Sequence, residues 1–255
     1  MTVGVTRDNI TIVLHRPRYP ENIGAAARAM GNMGFSRLIV VDPKIWDEER
    51  IRRLATHAAA SIVNGIQRFD ALAEALAPFG YVVGTTARLG GQRPAIKSPE
   101  RLADSIIPLS KNNPVAILFG AEDRGLTNDD LKHCHQVVNI PTQDFSSLNL
   151  AQAVMLVCYC LSTAAQNQPS TFAPRLAKRI ELHQMYDELT AALVRIGYTN
   201  PQNPDYWMTR IRRFFARLQL RAAEVSIIRG ICRQIHRYGE MRYADGFKDG
   251  GNDRG

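Results

Sequence analysis

Residues 1–165 alternate short apolar, β-branched runs with longer segments in which apolar positions recur every three or four residues. Runs of about four to eight apolar residues bounded by turn residues are typical of buried strands. The strands predicted in this way cover residues 10–14, 37–41, 81–85, 115–119 and 137–140. Because strands that alternate with helices favour parallel pairing, we predict an α/β domain with a mostly parallel sheet and helices on both faces.

The helical segments lie between these strands, at residues 22–33, 48–60, 70–77, from 98, from 127 or 128, and 148–165. Asn22 is the predicted N-cap of the first helix. Ser98-Pro99 has the favoured order of cap and then proline, and Thr127 or Asn128 begins a short helix.

A polar, proline-containing stretch at 166–174 has no periodicity and is predicted to be a linker. It separates the domain at 1–165 from a helical extension at 175–238. The Gly- and Asp-rich tail at 239–255 is predicted to be disordered.

The extension shows two apolar stripes and one arginine row at helical spacing. The first apolar stripe comprises Ile211, Phe214 and Leu218. The second comprises Val225, Ile228, Cys232 and Ile235. The row of cations comprises Arg210, Arg213, Arg217 and Arg221.

The positive charge of the chain is concentrated in this extension. The 255 residues carry a net charge of +8, and residues 171–255 account for +6 of it, with 15 Lys+Arg against 9 Asp+Glu. Thirteen of those 15 cations are arginine, whose planar guanidinium binds phosphate in a bidentate way. A basic surface rich in arginine indicates a polyanionic partner, nucleic acid first, although a solvated basic face is the alternative.

Composition excludes several other classes of protein. Apolar residues at 45% and charged residues at 22% exclude global disorder. The longest apolar stretch, 153–161, is far short of the roughly 20 residues that span a bilayer, and the N-terminus does not resemble a signal peptide, so we expect a cytoplasmic protein without a membrane partner. Four cysteines are too few for a disulfide framework. The sequence His133-Cys134-His135 is not predicted to bind a metal, because adjacent ligands rarely converge on one ion.

Loops of small, polar or glycine residues follow three of the predicted strands, at 85–97, 120–126 and 141–149. The carboxyl ends of parallel strands are where open α/β sheets bind ligands, and such loops allow close approach of backbone groups. None has the glycine pattern of a dinucleotide-binding turn or the lysine of a P-loop. Each loop alone is weak evidence, and their combination is the informative feature.

Three motifs coincide with these segments. They are Asn22-x-Gly24-x3-Arg28, then Phe119-Gly120-x-Glu122-x2-Gly125-Leu126, and finally Ile140-Pro141 followed by Ser146-Ser147-Leu148-Asn149. Their order and spacing across residues 8–165 resemble those of the SPOUT-class RNA ribose 2′-O-methyltransferases. Residues 205–238, with Arg-Arg-Phe-Phe-Ala-Arg and Ile-Ile-Arg-Gly, are similar to the C-terminal extension of the bacterial tRNA cytidine/uridine-32 2′-O-methyltransferases.

The resemblance implies a C-terminal trefoil knot that holds S-adenosyl-L-methionine, and a homodimer in which each active site is completed near the partner chain. It implies methyl transfer to the ribose 2′-hydroxyl of nucleotide 32 in the tRNA anticodon loop. The cofactor contacts carried over by motif are Thr85, Thr86, Ala87, Gly120, Ile140, Ser146, Ser147 and Leu148.

The resemblance also implies residue roles. Arg28 is the catalytic arginine; because a guanidinium stays protonated, clamping a phosphate and stabilising oxyanion charge suit it better than accepting a proton. Ser146 is expected to position the 2′-hydroxyl, and Glu122 to orient its loop. Gly24, Gly125 and Asn149 complete the motifs. The predicted RNA contacts are Arg88, Arg93, Lys97, Arg210, Arg213, Arg217 and Arg221.

Three alternatives stay open at this point. The helical extension could serve the dimer interface instead of, or as well as, RNA binding. The same chemistry could act on another RNA such as rRNA. The chain could also be a non-catalytic RNA-binding protein on the same fold.

Overall fold

The amino-terminal part of the chain is built on a seven-stranded sheet in which every strand pairing is parallel. In this computed structural model the residues described are 4–86, 95–96, 98–142, 148–164, 173–199, 204–215 and 218–249. They form two compact units, Met1–Arg175 and Leu176–Gly255.

The spatial order of the strands is β3-β2-β1-β6-β4-β7-β5. Their bounds are β1 Ile10–His15, β2 Arg37–Val41, β3 Gln67–Phe69, β4 Tyr81–Thr86, β5 Ala95–Ile96, β6 Val115–Phe119 and β7 Gln136–Asn139. All five predicted strands are confirmed within a residue or two at their ends. The sequence missed β3 and β5 because strands of three and two residues at the sheet edges show no periodic pattern.

Seven α-helices accompany the described strands of this unit. They are α1 Pro20–Asn32, α2 Glu48–Ala55, α3 Ala60–Asn64, α4 Leu72–Leu76, α5 Pro99–Leu109, α6 Asn128–Leu131 and α7 Leu150–Thr163. Residues 48–60 were predicted as one helix, but Thr56 adopts a positive φ of 61° that ends α2. Thr127 caps α6 with its side chain, as predicted.

Both faces of the sheet are covered. Side chains of β1, β2 and β6 that share one face, among them Val13, Ile39 and Leu118, pack with α4 and with Cys134 and the partly buried Leu131. Side chains alternate along a strand, so Ile12 and Leu14 point to the other face, and they are equally buried. Among the helices, α1 contacts both α2 and α7. The α/β prediction is therefore confirmed, and the knot stays a prediction.

The carboxyl-terminal unit is helical. It contains α8 Arg179–Arg195, α9 Pro204–Phe215 and α10 Ala222–Asp249. Its core includes Met185 from α8 and Val225 from α10, and Cys232 is also buried, so the second predicted apolar stripe does face a core.

Three details of this unit differ from the prediction. Helix α9 ends at Phe215, so Leu218 lies outside it, and Leu218 and Phe214 are both exposed instead of packed in a stripe. Arg221 lies just before α10, where it forms a β-bridge with Leu176, and it does not continue the arginine row of α9. Helix α10 continues to Asp249, well past the point where glycine and aspartate predicted disorder.

None of the helices within the described ranges is long and apolar enough to cross a membrane.

Candidate active site at the carboxyl edge of the sheet

Four neighbouring strands, β1, β6, β4 and β7, end at the same edge because all are parallel. This edge brings together Gly120 after β6, Thr85 and Thr86 at the end of β4, and Ile140 after β7. Adjacent strands are about 4.8 Å apart, so these predicted cofactor residues lie side by side. The Thr85 hydroxyl donates to the Leu118 carbonyl oxygen at 3.1 Å, which ties β4 to β6 at the edge.

The loop after β6 is a tight turn that requires glycine at two positions. A Cβ on Gly120 would overlap the backbone of Gly125 and Leu126, and Gly125 has a φ of +66° that disfavours other residues. The Gly125 N–H donates to the Ala121 carbonyl at 2.8 Å. A β-carbon at 120 would therefore collide with the loop itself.

Glu122, carried by this loop, connects it to the segment that follows β1. Its Oε2 accepts from the Arg18 backbone N–H at 2.8 Å, and its Oε1 accepts from Asn22 Nδ2 at 2.6 Å. Asn149 Nδ2 then donates to Asn22 Oδ1 at 3.1 Å. One chain of side-chain hydrogen bonds thus joins a residue from each of the three motifs. The role of Glu122 in orienting its loop stays a prediction.

Asn22 itself does not cap α1, and that prediction is wrong. The helix begins earlier, at Pro20, with Tyr19 as its N-cap residue. Proline suits the first helical position because it has no N–H to satisfy and its φ is already helical. The amide of Asn22 is left to bridge Glu122 and Asn149.

Asn149, in contrast, does cap a helix, because it is the N-cap residue of α7. Its Oδ1 accepts from the Ala151 N–H at 2.9 Å, while its own N–H donates to Gln152 Oε1 at 3.2 Å. The same side chain therefore begins α7 and binds Asn22 of α1. One residue thus connects the start of α7 to α1.

A cleft of about 550 Å³ opens beside this network. Its lining residues are Tyr19, Glu21, Asn22, Arg50, Glu122, Leu148 and Asn149. Arg50 Nε donates to Glu21 Oε1 at 2.7 Å, and this hydrogen bond lowers the pKa of Glu21 below its ordinary value. The cleft therefore combines the ion pair of Arg50 and Glu21 with two apolar surfaces, the Leu148 side chain and the Tyr19 ring.

Sequence reasoning missed Tyr19, Glu21 and Arg50. Tyr19 and Glu21 could have been found from the sequence, because they follow the carboxyl end of β1. The loops singled out from the sequence were those after β4, β6 and β7. Arg50 lies on α2, and no sequence pattern pairs that helix with the cleft.

Arg28 is exposed on α1 and does not line the cleft. Within the described residues its guanidinium has no hydrogen bond or ion pair. Gly24, one helical turn earlier, faces α2 so closely that a Cβ would overlap the Ile51 carbonyl oxygen. Thus α1 is held at Gly24 and presents Arg28 outward.

Several predicted residues lie outside the residues that the structure describes. They are Ala87, Arg88, Arg93, Lys97, Ser146, Ser147 and Arg217. Of the other RNA candidates, Arg210 and Arg213 share α9 and are both exposed.

The residues at the edge fit an adenosine-containing cofactor. Gly120 is partly exposed and brings backbone polar groups to the edge, and Ile140 and Leu148 offer apolar contacts. The Thr86 carbonyl already accepts from Asn139 Nδ2 at 3.1 Å, which ties the end of β4 to β7. Burial raises the pKa of the Cys158 thiol to about 12, which keeps it protonated as a core residue. Over the described ranges, no group of three His, Cys, Asp or Glu side chains could hold a metal ion.

The sequence His133-Cys134-His135 has structural contacts instead. His135 Nδ1 accepts from the Val82 N–H at 2.9 Å, and its ring stacks on Tyr81 with centroids 5.1 Å apart. Cys134 is buried against Gly84, where a Cβ would approach its sulfur to 2.8 Å.

Comparison with known proteins covers both units. Residues 9–159 match the SpoU rRNA Methylase family, and residues 180–245 match the C-terminal domain of the tRNA methyltransferase TrmJ. The tRNA (cytidine/uridine/adenosine-2′-O-)-methyltransferase TrmJ of Pseudomonas aeruginosa (strain UCBPP-PA14) is 35% identical over 90% of this chain and 95% of its own. The tRNA (cytidine/uridine-2′-O-)-methyltransferase TrmJ of Klebsiella pneumoniae is 34% identical over 89% of this chain and 96% of its own. The crystal structure of TrmJ from Z. mobilis ZM4 has a TM-score of 0.73 at 32% identity and covers 89% of this chain and 98% of that one.

Proposed function

The chain belongs to the SpoU methylase family. We propose that it methylates the ribose 2′-hydroxyl of nucleotide 32 in the tRNA anticodon loop, with S-adenosyl-L-methionine as methyl donor. The coarser activity, tRNA ribose 2′-O-methylation, is that of its TrmJ relatives. The C-terminal match favours tRNA over rRNA as the substrate.

One observation carries the proposal: the hydrogen bonds from Asn22 to Glu122 and from Asn149 to Asn22. They hold the start of α1, the loop after β6 and the start of α7 around one cleft. Transfer of a methyl group depends on alignment of donor and acceptor, and alignment requires a rigid binding site. Hydrogen bonds among residues of three distant segments would make this site rigid.

The donor carries a methyl group on a sulfonium, so the chemistry of transfer is its own. The residues of this chain bind and orient it. Ile140 and Leu148 would contact its adenine, and the backbone at Thr86 and Gly120 would face its polar edges. Thr85, Ala87, Ser146 and Ser147 belong to the same proposed cofactor site, and Ser146 positions the 2′-hydroxyl.

Arg28 acts in the active site of a second copy of the chain. It is exposed and lies outside the cleft of its own chain, which supports a homodimer with sites completed by the partner. Its guanidinium stays protonated, so it clamps a phosphate and stabilises negative charge on the 2′-oxygen.

The RNA is held by cations outside the cofactor site. Arg88, Arg93 and Lys97 follow β4, and Arg210, Arg213, Arg217 and Arg221 belong to the helical unit. Contacts to phosphate position the RNA without reading its sequence. The enzyme acts on tRNA in the cytoplasm.

Substitution of Arg28 tests the proposal. Arg28→Ala should lower kcat by about a hundredfold or more while cofactor binding is unchanged, because charge stabilisation at the oxyanion is lost. Arg37→Ala is the matched control. Arg37 is exposed at the amino-terminal end of β2, away from the site edge, and its loss should leave activity intact. Full activity of Arg28→Ala would refute its assigned role.

Mixing two inactive variants tests whether Arg28 acts across a dimer. Arg28→Ala mixed with Leu148→Arg, which blocks the cleft, should regain about a quarter of wild-type activity after subunit exchange. A mixture that stays inactive, despite exchange seen by mass spectrometry, would place Arg28 in its own chain's site.

A further inference from the structure

Helix α9 and the residues that follow α8 expose a cluster of aromatic rings in the helical unit. Tyr198, Tyr206 and Trp207 are 60%, 55% and 38% exposed. Tyr206 and Trp207 meet edge to face with centroids 5.7 Å apart, and Tyr198 meets Trp207 at 6.1 Å and 59°. The tilted contacts leave ring faces without a parallel neighbour.

An arginine is fixed over these rings. Arg210 lies three and four residues after Trp207 and Tyr206, so helical spacing directs it back over both. Its guanidinium carbon lies 5.2 Å from the Tyr206 centroid and 5.8 Å from that of Trp207. Across the part of the chain that the structure describes, no carboxylate pairs with Arg210. Its charge is therefore available to an anionic partner.

We propose that Tyr198, Tyr206, Trp207 and Arg210 form an aromatic platform that stacks an unpaired base of the RNA substrate. That the ligand is tRNA rests on the proposed function. Every base has a π-face, and single-stranded RNA is bound by aromatic faces that alternate with cations. Bases within a duplex are already stacked, so the platform selects an unpaired segment such as a loop.

Charge favours RNA over a protein as the occupant. Residues 171–255 carry a net charge of +6, and exposed Arg213 lies on the same helix one turn beyond Arg210. A polyanion that places a phosphate on these arginines brings its bases to the adjacent rings. The platform therefore assigns a base contact to a surface previously expected to bind only phosphates.

Tryptophan fluorescence offers a direct readout. The chain has two tryptophans, Trp46 and Trp207, so Trp46→Phe leaves Trp207 as the only reporter. Titration of the full-length Trp46→Phe protein with a tRNA transcript, and with a single-stranded heptanucleotide, should quench Trp207 fluorescence as a base stacks. A blunt RNA duplex should quench it weakly or not at all.

Substitutions separate stacking from simple packing. Trp207→Leu and Tyr206→Leu should each weaken tRNA binding and raise the KM for tRNA about tenfold, because a stacked base is lost. Trp207→Phe keeps an aromatic face and should stay within about threefold of wild type. Tyr238→Leu, at an exposed tyrosine of α10, is the control and should leave binding unchanged. Circular dichroism and thermal unfolding confirm that each variant folds.

The outcomes distinguish this inference from the proposed function. If wild type methylates tRNA but Trp207 is not quenched and Tyr206→Leu binds normally, the platform is refuted and the enzyme assignment stands. If wild type methylates no tRNA but the heptanucleotide quenches Trp207, the platform stands as an RNA site and the assignment fails. Equal quenching by duplex and single strand would also overturn the platform.

Discussion

Glu122 accepts hydrogen bonds from two groups that are about a hundred positions away in the chain, the Arg18 N–H and the Asn22 amide. Both of its carboxylate oxygens are used, one for each donor. This single side chain therefore connects the second motif to the first by hydrogen bonds.

Glu122→Ala tests that role. It leaves two donors without their acceptor, so the free energy of unfolding should fall by about 1–3 kcal/mol and methyl transfer should weaken with it. Asp123→Ala is the control, since it removes only partly exposed ion pairs, those with Arg18 and Arg124, and should lower the stability less than Glu122→Ala does. Thermal denaturation and steady-state kinetics measure both. Equal effects of the two variants would contradict the account.

The sequence did not predict the contacts that two of the motif residues make. Gly120 and Asn22 were both selected from their motifs, yet Gly120 serves the loop and Asn22 serves a bridge instead of a cap. The reason is physical: the partners that decide these roles lie in other segments, and periodicity describes only neighbours along one element.

Among the elements, α1 and α2 approach each other through Gly24. A β-carbon there would overlap the Ile51 carbonyl, which is backbone and cannot rotate away. This contact fixes the face of α1, and hence the direction in which Arg28 points.

Gly24→Ala should therefore push α1 away from α2, with a loss of about 1–3 kcal/mol in stability. Gly31→Ala in the same helix is the control. Its β-carbon would meet only the Ile62 Cδ1 atom at 3.2 Å, the end of a flexible side chain. That variant should stay within about 1 kcal/mol of wild type, aided by the better helix propensity of alanine. Urea denaturation compares them, and a harmless Gly24→Ala would show that the helices are not held in this way.

Elements with strong patterns were predictable, and those without were not. The long runs of β1, β6 and α7 gave clear signals, whereas β3 and β5 are too short to show a period. Arginine spacing wrongly extended the predicted row beyond the end of α9 at Phe215, because equal spacing in the sequence does not by itself show where a helix ends.

The net charge of the molecule is distributed unevenly between its two parts, the part with the sheet and the helical part. The helical part of the chain carries most of the net charge of +8, and the part with the sheet carries the cleft. This division agrees with the proposal that the helical part binds RNA and the part with the sheet binds the cofactor.

Arg210→Gln combined with Arg213→Gln tests the division. If each arginine contacts a phosphate, the slope of log affinity for tRNA against log salt should become shallower by about two, while cofactor binding stays the same. Arg52→Gln is the control, since Glu48 already pairs with Arg52. Loss of cofactor binding together with tRNA binding would show that the helical unit has a structural role.

The central claim is methyl transfer to the ribose of nucleotide 32, and a single substituted tRNA tests it most directly. The protein is incubated with labelled S-adenosyl-L-methionine and either a tRNA transcript or the same transcript with 2′-deoxyribose at position 32 only, and the products are mapped by mass spectrometry. The account predicts one ribose methyl at nucleotide 32 of the first tRNA and none in the second. Methyl incorporation into the deoxy-substituted tRNA, or none into either, would contradict it.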